Sequence, residues 1–252
     1  MTLHHHSYDY LLAQSRLMAA VCAVGGRRLT HVFLAPSMQA TFFARYPQRG
    51  PAAVVANAMF VPERRLRQGV PGRLTVGLIS NLAPEKGLTD FIATARLARA
   101  EGLPVEMVLA GPAPDPADRA AIDAAVADGV LRAVGPLYGP QKDAFFESLD
   151  LFLFPTRYRH EAQPTVIYEA FAAGVPVIAF DRGAIVDQVG DCLLTVPREA
   201  DFAAAAVAEM RRLLTLDAEG RAALHARAQA RHRDATEDGI RTIRALFQET
   251  AP

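Results

Sequence analysis

The chain is poor in the features that would commit it to a polyanion, a membrane or a metal. Arg and Lys together number 27 and so do Asp and Glu, so the formal net charge is zero. Without a global basic field, nucleic acid is excluded as the main ligand. No run of about 18 apolar residues occurs, which excludes a membrane-spanning helix. The only two cysteines, Cys22 and Cys192, lie far apart and outside any CxxC or Cys/His spacing. Neither a zinc site nor a disulfide framework is indicated, and a reducing cytoplasm fits. No GxGxxG follows any strand-like segment, which removes a dinucleotide-dependent oxidoreductase. Lysine is scarce as well: Lys86 and Lys142 are the only two among the 27 basic residues. An arginine-biased genome explains that imbalance as well as selection does.

What is present is a chain of 252 residues, 51% hydrophobic, long enough for one large domain or for one domain with a fragment of another. From about residue 73 it alternates strand-like and helix-like segments. "RLTVGLIS" (73–80), "VEMVLAG" (105–111), "LRAVG" (131–135), "DLFLFP" (150–155), "VPVIAF" (175–180) and "CLLTV" (192–196) are short and apolar, as strands buried on both faces are. Helical patterns follow them. "TDFIATARLARAEG" aligns Phe91, Ala95 and Ala98, with Thr89 as cap and Gly102 at the stop, and "DPADRAAIDAAVADG" repeats the logic. The alternation predicts an α/β fold: a doubly wound, six-stranded parallel sheet, Rossmann-like, with its ligand site at the carboxyl ends of the strands.

The first 70 residues read differently. His4 to His6 are taken as a disordered terminus rather than a tag or metal site. "LMAAVCAVGG" (17–26) reads as an amphipathic helix rather than a cleaved signal, because the stretch before it is long and carries Asp9. "THVFLAPS" (30–37) predicts a strand ending in a turn, "MQATFFARYP" a short helix and "AAVVANAM" (52–59) a further strand, before a linker at 62–72. With too few strands for a sheet domain of its own, residues 1–70 are expected to be the remnant of a preceding α/β domain. Residues 71–235 form the main domain. Residues 236–252 carry the apolar stripe Ile240, Ile243 and Leu246 or Phe247 of a helical tail, expected to pack back on the N-terminal segment.

"EAQPTVIYEAFAAGVPVIAF" (161–180) is the chemically suggestive stretch. Glu161 falls in a loop above the strand ends, Pro164 opens a helix, and Glu169 lies in its second turn. The free N–H groups of Thr165, Val166 and Ile167 then make an anion site at the positive end of the helix dipole. Two carboxylates beside an anion site suit vicinal hydroxyls, and a nucleotide sugar has diols on both sides of its diphosphate. Taken alone, two acids at this spacing are usually solvated, Lys86 is an ordinary surface lysine, and Gly174 simply ends a helix.

The flank changes the weighting. Glu161-x7-Glu169 followed by "AFAAGVPVIA" resembles the signature of retaining family 4 (group 1) glycosyltransferases of the GT-B fold, in their C-terminal donor-binding domain. "NLAPEKG" (81–87), "GP" (111–112) and "GPL" (135–137) resemble that family's other loops, over roughly 73–235. The resemblance implies that Glu169 binds the ribose, Glu161 the donor sugar hydroxyls and Lys86 the diphosphate. Leu137 and Tyr138 would lie against the base, with Gly111 at a strand end. It implies a UDP- or GDP-sugar as substrate, no metal or other cofactor, and an acceptor still to be identified. The chemistry would serve polysaccharide or glycolipid assembly, in the cytoplasm or peripheral to the inner membrane face. The chain departs from the pattern at Asn81, where an Arg is usual. Asn donates to a phosphate oxygen without charge, and charge-assisted bonds are about twice as strong. Arg157 or Arg159 is the expected compensation, with His160 and Tyr158 as further loop candidates. Because GT-B acceptor groups belong to the other domain, a partner chain or self-association is expected to supply the missing side. The alternative is a noncatalytic nucleotide-sugar-binding or interaction subunit.

Overall fold

A computed structural model describes residues 1–47, 50–66 and 72–248, with the side chain of Phe247 excepted. In chain order the elements are β1 (Thr2–His4), α1 (Asp9–Leu12), α2 (Arg16–Gly25), β2 (Thr30–Phe33), α3 (Pro36–Arg45) and β3 (Ala52–Val54). Then come β4 (Leu74–Ile79), α4 (Leu88–Ala100), β5 (Val105–Ala110), α5 (Pro116–Ala127), β6 (Arg132–Gly135), α6 (Pro140–Glu147) and β7 (Leu151–Phe154). The chain closes with α7 (Thr165–Ala172), β8 (Val177–Phe180), α8 (Ile185–Val189), β9 (Leu194–Val196), α9 (Phe202–Leu214) and α10 (Ala218–Gln248). Among these, no helix is long and apolar enough to cross a membrane.

β4 to β9 form the expected six-stranded sheet in the order β6-β5-β4-β7-β8-β9, parallel throughout. This is the doubly wound arrangement in which the order reverses once, between β4 and β7. β7 and β8 are buried at every position, which is why both read as unbroken apolar runs. α4 lays Phe91, Ala95 and Ala98 into the core, all at most 2% exposed. Its cap is Gly87, with Thr89 one residue inside the helix, so the expected Thr89 cap is not made. The partner of α4 on that face is α9, whose Phe202, Ala206, Val207, Met210 and Leu213 are buried.

The N-terminal segment corrects three expectations. First, the histidines at the start are part of the structure: β1 pairs in parallel with β2, and β2 with β3. His5 is 1% exposed and stacks on Phe33, with ring centroids 4.3 Å apart. Its Nδ1 meets the Tyr10 hydroxyl at 2.9 Å and its Nε2 meets His31 Nδ1 at 3.0 Å. Flanking aromatics make an imidazole a core residue, and a reading of polarity alone misses that. Second, the strand ending in a turn expected at 30–37 is present, but the turn is shorter: the strand stops at Phe33 and α3 already opens at Pro36, two residues before the expected helix. Third, the strand expected at 52–59 ends at Val54 and gives way to a 3-10 turn over Asn57–Phe60. α2 forms over 16–25, capped by the Ser15 side chain, and buries only Cys22. Both cysteines are free and buried, and burial pushes the Cys192 thiol up to about 11.

Residues Tyr8, Leu11, Phe33, Met38, Phe42 and Tyr46 make a second core, and Ala162 and Ala184 from the larger half join it. α10 ties the halves together from the other side and runs unbroken through 235–236. His225 Nδ1 meets the Gly174 carbonyl and His232 Nε2 the Val61 carbonyl, each at 2.8 Å, while Gly239 faces Val55 and Met59, which a Cβ there would meet at 3.8 Å. Ile243 and Leu246 line an apolar cavity of about 370 Å³ against β1, β2 and residues 55–60. Ile240 is 37% exposed, and the Phe247 side chain and the linker positions 67–71 lie outside the described residues.

The buried imidazoles make stability pH-dependent. Burial lowers His5 to about 3 and lowers His31 from its ordinary value. Above about pH 6.5 both folded and unfolded chains hold these rings neutral; below it only the unfolded chain takes up the protons. Stability should therefore fall with acidification, for His5 by about 1.4 kcal/mol per pH unit down to its folded-state pKa, with His31 acting in the same direction. Urea unfolding at pH 7.5, 6.5 and 5.5 measures the slope. His5→Phe should flatten it whatever it does to absolute stability, and an unchanged slope would show that His5 is not the source.

Candidate functional site

Three strand ends converge where the sheet order reverses. β4 runs out at Ile79 into Ser80 and Asn81, β5 into Gly111 and Pro112, and β7 into Pro155 and Thr156. Ile79, Ser80, Asn81, Gly111, Pro112 and Phe154 from these ends form the floor of an open cavity of about 370 Å³ that also has Lys86, Leu137, Tyr138, Lys142, Glu161, Pro164, Thr165, Val166 and Glu169 in its wall. Such crevices at the carboxyl edge are where doubly wound sheets bind ligands. Two glycines bring the loops this close. Gly111 has φ +128°, and a Cβ there would lie 1.8 Å from the Ser80 carbonyl oxygen. Gly87, at φ +90°, passes Pro155 so closely that a Cβ would be 2.5 Å from its carbonyl oxygen. No larger residue fits either place without moving backbone.

Each of the two carboxylates is paired with one of the chain's two lysines. Lys86 Nζ donates to Glu161 Oε2 at 3.0 Å and lies 3.9 Å from the centre of the Tyr158 ring. Thr156 Oγ1 adds a longer bond to the same carboxylate oxygen at 3.3 Å. Across the cavity Lys142 Nζ donates to Glu169 Oε1 at 2.7 Å. It is also 2.6 Å from Oε2, close but off the hydrogen-bonding direction, so that oxygen has no aligned donor. The Glu161 and Glu169 side chains are 14% and 15% exposed, their lysines 22% and 29%. Removing one partner from such a half-desolvated pair leaves a charge without compensation, which is more costly than losing a surface ion pair.

The expected residues divide cleanly. Glu161, Lys86, Glu169, Asn81, Pro164, Thr165, Val166, Gly111, Leu137 and Tyr138 all line the cavity. Ile167 does not: its side chain is fully buried and its amide donates to the Pro164 carbonyl at 3.3 Å. Pro164 is the residue before α7, so the open donors are the first two amides of the helix, Thr165 and Val166. Arg157 is also off the cavity. It makes two 2.8 Å bonds to Asp90 and stacks on Phe180 at 4.6 Å, so it is committed elsewhere and does not stand in for the cation absent at Asn81. His160 turns away to pair with Asp9 of the N-terminal segment.

Three residues at or behind the site are not marked by the sequence pattern: Lys142, Arg64 and Gln163. Lys142, in the first turn of α6, reaches Glu169 only because α6 and α7 flank the same strand ends. Arg64 lies behind the cavity and donates to Asp143 Oδ1 at 2.7 Å and to the Glu169 carbonyl at 3.1 Å. Gln163, between the two glutamates, joins the halves: its Oε1 accepts from the Asn57 amide at 2.7 Å and its Nε2 donates to the Leu34 carbonyl at 2.8 Å. Among the described residues, no three His, Cys, Asp or Glu side chains gather as a metal site.

Comparison with known proteins bears on this geometry directly. Residues 73–215 match the family described as glycosyl transferases group 1. The chain is 36% identical over 138 residues to a GDP-mannose-dependent alpha-mannosyltransferase of Mycolicibacterium smegmatis, covering 53% of this chain and 34% of that protein. It is 34% identical over 159 residues to a GDP-mannose-dependent alpha-(1-6)-phosphatidylinositol monomannoside mannosyltransferase of Mycobacterium tuberculosis, covering 59% and 41% respectively. The chain therefore spans well under half the length of these relatives. In fold it resembles the crystal structure of TarM of S. aureus, a GT-B architecture, with a TM-score of 0.73 at 16% identity over 98% of this chain and 50% of that one. Matched over more than half of its length, with the cavity inside the matched region, the chain belongs to the group 1 glycosyl transferases.

Proposed function

We propose that this chain is the donor-binding part of a retaining glycosyltransferase that takes a sugar from a nucleoside-diphosphate sugar. The single observation that carries the reading is the cavity at the sheet reversal, where two lysine-paired carboxylates stand on either side of the open amides of α7. A diol needs an acceptor of two hydrogen bonds, and the Glu169 carboxylate, in the cavity wall beside the open amides of α7, takes the ribose. Glu161 takes the donor sugar hydroxyls. Lys86 and the Thr165 and Val166 amides face the diphosphate, and Asn81 donates to it without adding charge. The base lies against Leu137 and Tyr138, the latter 71% exposed and free to be covered. The relatives favour a guanosine diphosphate donor with mannose, while UDP-sugars share every contact except those to the base.

In the reaction the bond from the anomeric carbon to the β-phosphate oxygen breaks, the oxygen of an acceptor hydroxyl bonds to that carbon with retained configuration, and the hydroxyl proton leaves with the departing diphosphate. Negative charge grows on the departing phosphate, where Lys86 and the two amides are already placed, and preorganised donors of this kind lower a barrier without reorganising. No bound cofactor or metal enters this scheme. The acceptor belongs across the cleft, where Gln163 and Asn57 join the donor loop to the N-terminal sheet. A saccharide or lipid acceptor suits that place. So does a partner chain, or a second copy of this one, completing the wall. The neutral Asn81 keeps a second reading in play, a subunit that binds nucleotide sugar without transferring it.

Calorimetric titration with GDP, UDP and ADP, each with and without magnesium, should give saturable binding of at least one of them, with GDP tightest. Absence of binding by all three at millimolar concentration would sink the proposal. A labelled GDP-mannose assay over saccharide and lipid acceptors then separates transferase from binding subunit. Glu169→Ala should cost about 1.5–3 kcal/mol in ribonucleotide affinity, as for a hydrogen bond to a charged group. It should also abolish the preference for ribose over 2′-deoxyribose; an intact preference would make Glu169 structural. Lys86→Ala should reduce GDP affinity by a similar factor but leave guanosine binding nearly unchanged, because the lysine acts on the phosphates. Equal losses for both would place Lys86 away from the diphosphate.

A further inference from the structure

We infer that Arg64 is a positioning residue for Glu169, holding from behind the cavity both the helix that carries this carboxylate and the helix that carries its lysine partner. The inference rests on the proposed role of Glu169 toward the ribose, and it concerns a residue that does not line the cavity. Arg64 belongs to the segment that connects the N-terminal half to β4, and its side chain is 8% exposed. A guanidinium with so little water around it must direct its donors at fixed acceptors. Nε and Nη2 both lie 2.7 Å from Asp143 Oδ1, and Nη1 donates to the Glu169 carbonyl at 3.1 Å. Nη2 is also 3.8 Å from Glu169 Oε1, and the guanidinium carbon lies 5.6 Å from the centre of the Phe146 ring.

Each contact bears on the Lys142–Glu169 pair. Near the end of α7 the amide of Ala173 bonds to the Ala170 carbonyl, so the Glu169 carbonyl lacks its ordinary helical donor and Arg64 supplies one. A cation at a helix C-terminus is favourable for the same reason. Asp143 is the residue after Lys142, in the first turn of α6, so the grip on Asp143 sets where Lys142 stands. One guanidinium thus fixes the spacing between a carboxylate and an ammonium that are 27 residues apart in sequence. Arg64 is itself held: its amide donates to the Ala172 carbonyl at 3.0 Å, and its carbonyl accepts from Gln229 Nε2 of α10 at 3.0 Å. The seat of the connecting segment and the aim of the ribose-binding carboxylate are therefore one arrangement. Anything that shifts one shifts the other.

The test compares GDP, 2′-deoxy-GDP and inorganic pyrophosphate by calorimetry on the full chain, for wild type, Arg64→Lys, Arg64→Met and Asp143→Asn, with the folded fraction of each taken from its thermal melt. Wild type should prefer GDP over 2′-deoxy-GDP by about tenfold or more. Arg64→Met should lose most of that preference. Arg64→Lys keeps the charge but reaches only one of the two helices, and Asp143→Asn weakens the grip on α6; both should fall in between. Pyrophosphate affinity, which depends on Lys86 and the α7 amides, should stay within about twofold in all three, a selectivity that general loosening of the fold does not produce. Folded variants that keep the wild-type preference, or that lose pyrophosphate as strongly as GDP, overturn the role of Arg64 and leave the reading of the cavity standing. Should Arg64→Met fail to fold, Arg64→Lys and Asp143→Asn carry the same comparison. Wild type that binds GDP without discriminating against the deoxy sugar overturns the role of Glu169 itself.

Discussion

Everything at the site depends on β4 and β7 being neighbours. They are joined through Val76 to Leu151 and Gly77 to Phe152, although the whole of β5 and β6 lies between them in sequence. From β4 the chain winds outward in one direction, and from β7 in the other. Connections between parallel strands are right-handed, so the two halves put their helices on opposite faces and leave a crevice between the loops. Gly77 shows how tight the seam is, since a Cβ there would lie 2.5 Å from the Leu149 side chain. The β4–α4 loop with Asn81 and Lys86 and the β7–α7 connection with Glu161 then meet at one edge although about 75 residues separate them in the chain.

The second constraint is electrostatic. Glu161 and Glu169 are too buried to stand alone and too exposed for their ion pairs to count as major sources of stability. The chain balances them with its two lysines, one on the connection after β4 and one in the first turn of α6. Each lysine is held from a different element than its carboxylate, so the pairs exist only when the fold is complete. Such pairs are suited to exchange: a ligand with hydroxyls and phosphates can offer the carboxylates donors and the lysines acceptors. Arg64 behaves differently. Its donors are directed at acceptors away from the cavity, which suits a part that stays fixed while the cavity fills.

Much of this was legible in the sequence. The central strands of the larger sheet are apolar on both faces and the helices between them repeat at helical spacing, so there local pattern and tertiary burial agree. The edge strand β6, expected to be buried on both faces, has no buried position, because it has a neighbouring strand on one side only. The loop motif was readable because its parts are close in sequence: Glu161, Pro164, Thr165, Val166 and Glu169 occupy one strand–loop–helix unit whose geometry is set locally. Local chemistry is an incomplete guide where the neighbours come from distant parts of the chain. His5 carries a polar ring yet is core, since Phe33, Phe42 and His31 surround it. Arg157 and His160 lie within four residues of Glu161 yet turn outward, because Asp90 and Asp9 are nearer partners than the cavity.

By itself, then, the sequence determined the parallel sheet, the alternation of its strands and helices along the chain, and the loop–helix that carries both glutamates. These are properties of hydrophobic period and of residues a few positions apart. Tertiary structure decided which cation meets which acid, which arginine is used, and how the first 60 residues are packed. Lys142 reaches Glu169 across 27 positions, Arg64 reaches the same residue across 105, and Gln163 reaches Leu34 across 129. A side chain's partner is whatever the folded chain brings within about 3 Å of it, and no local pattern encodes that distance.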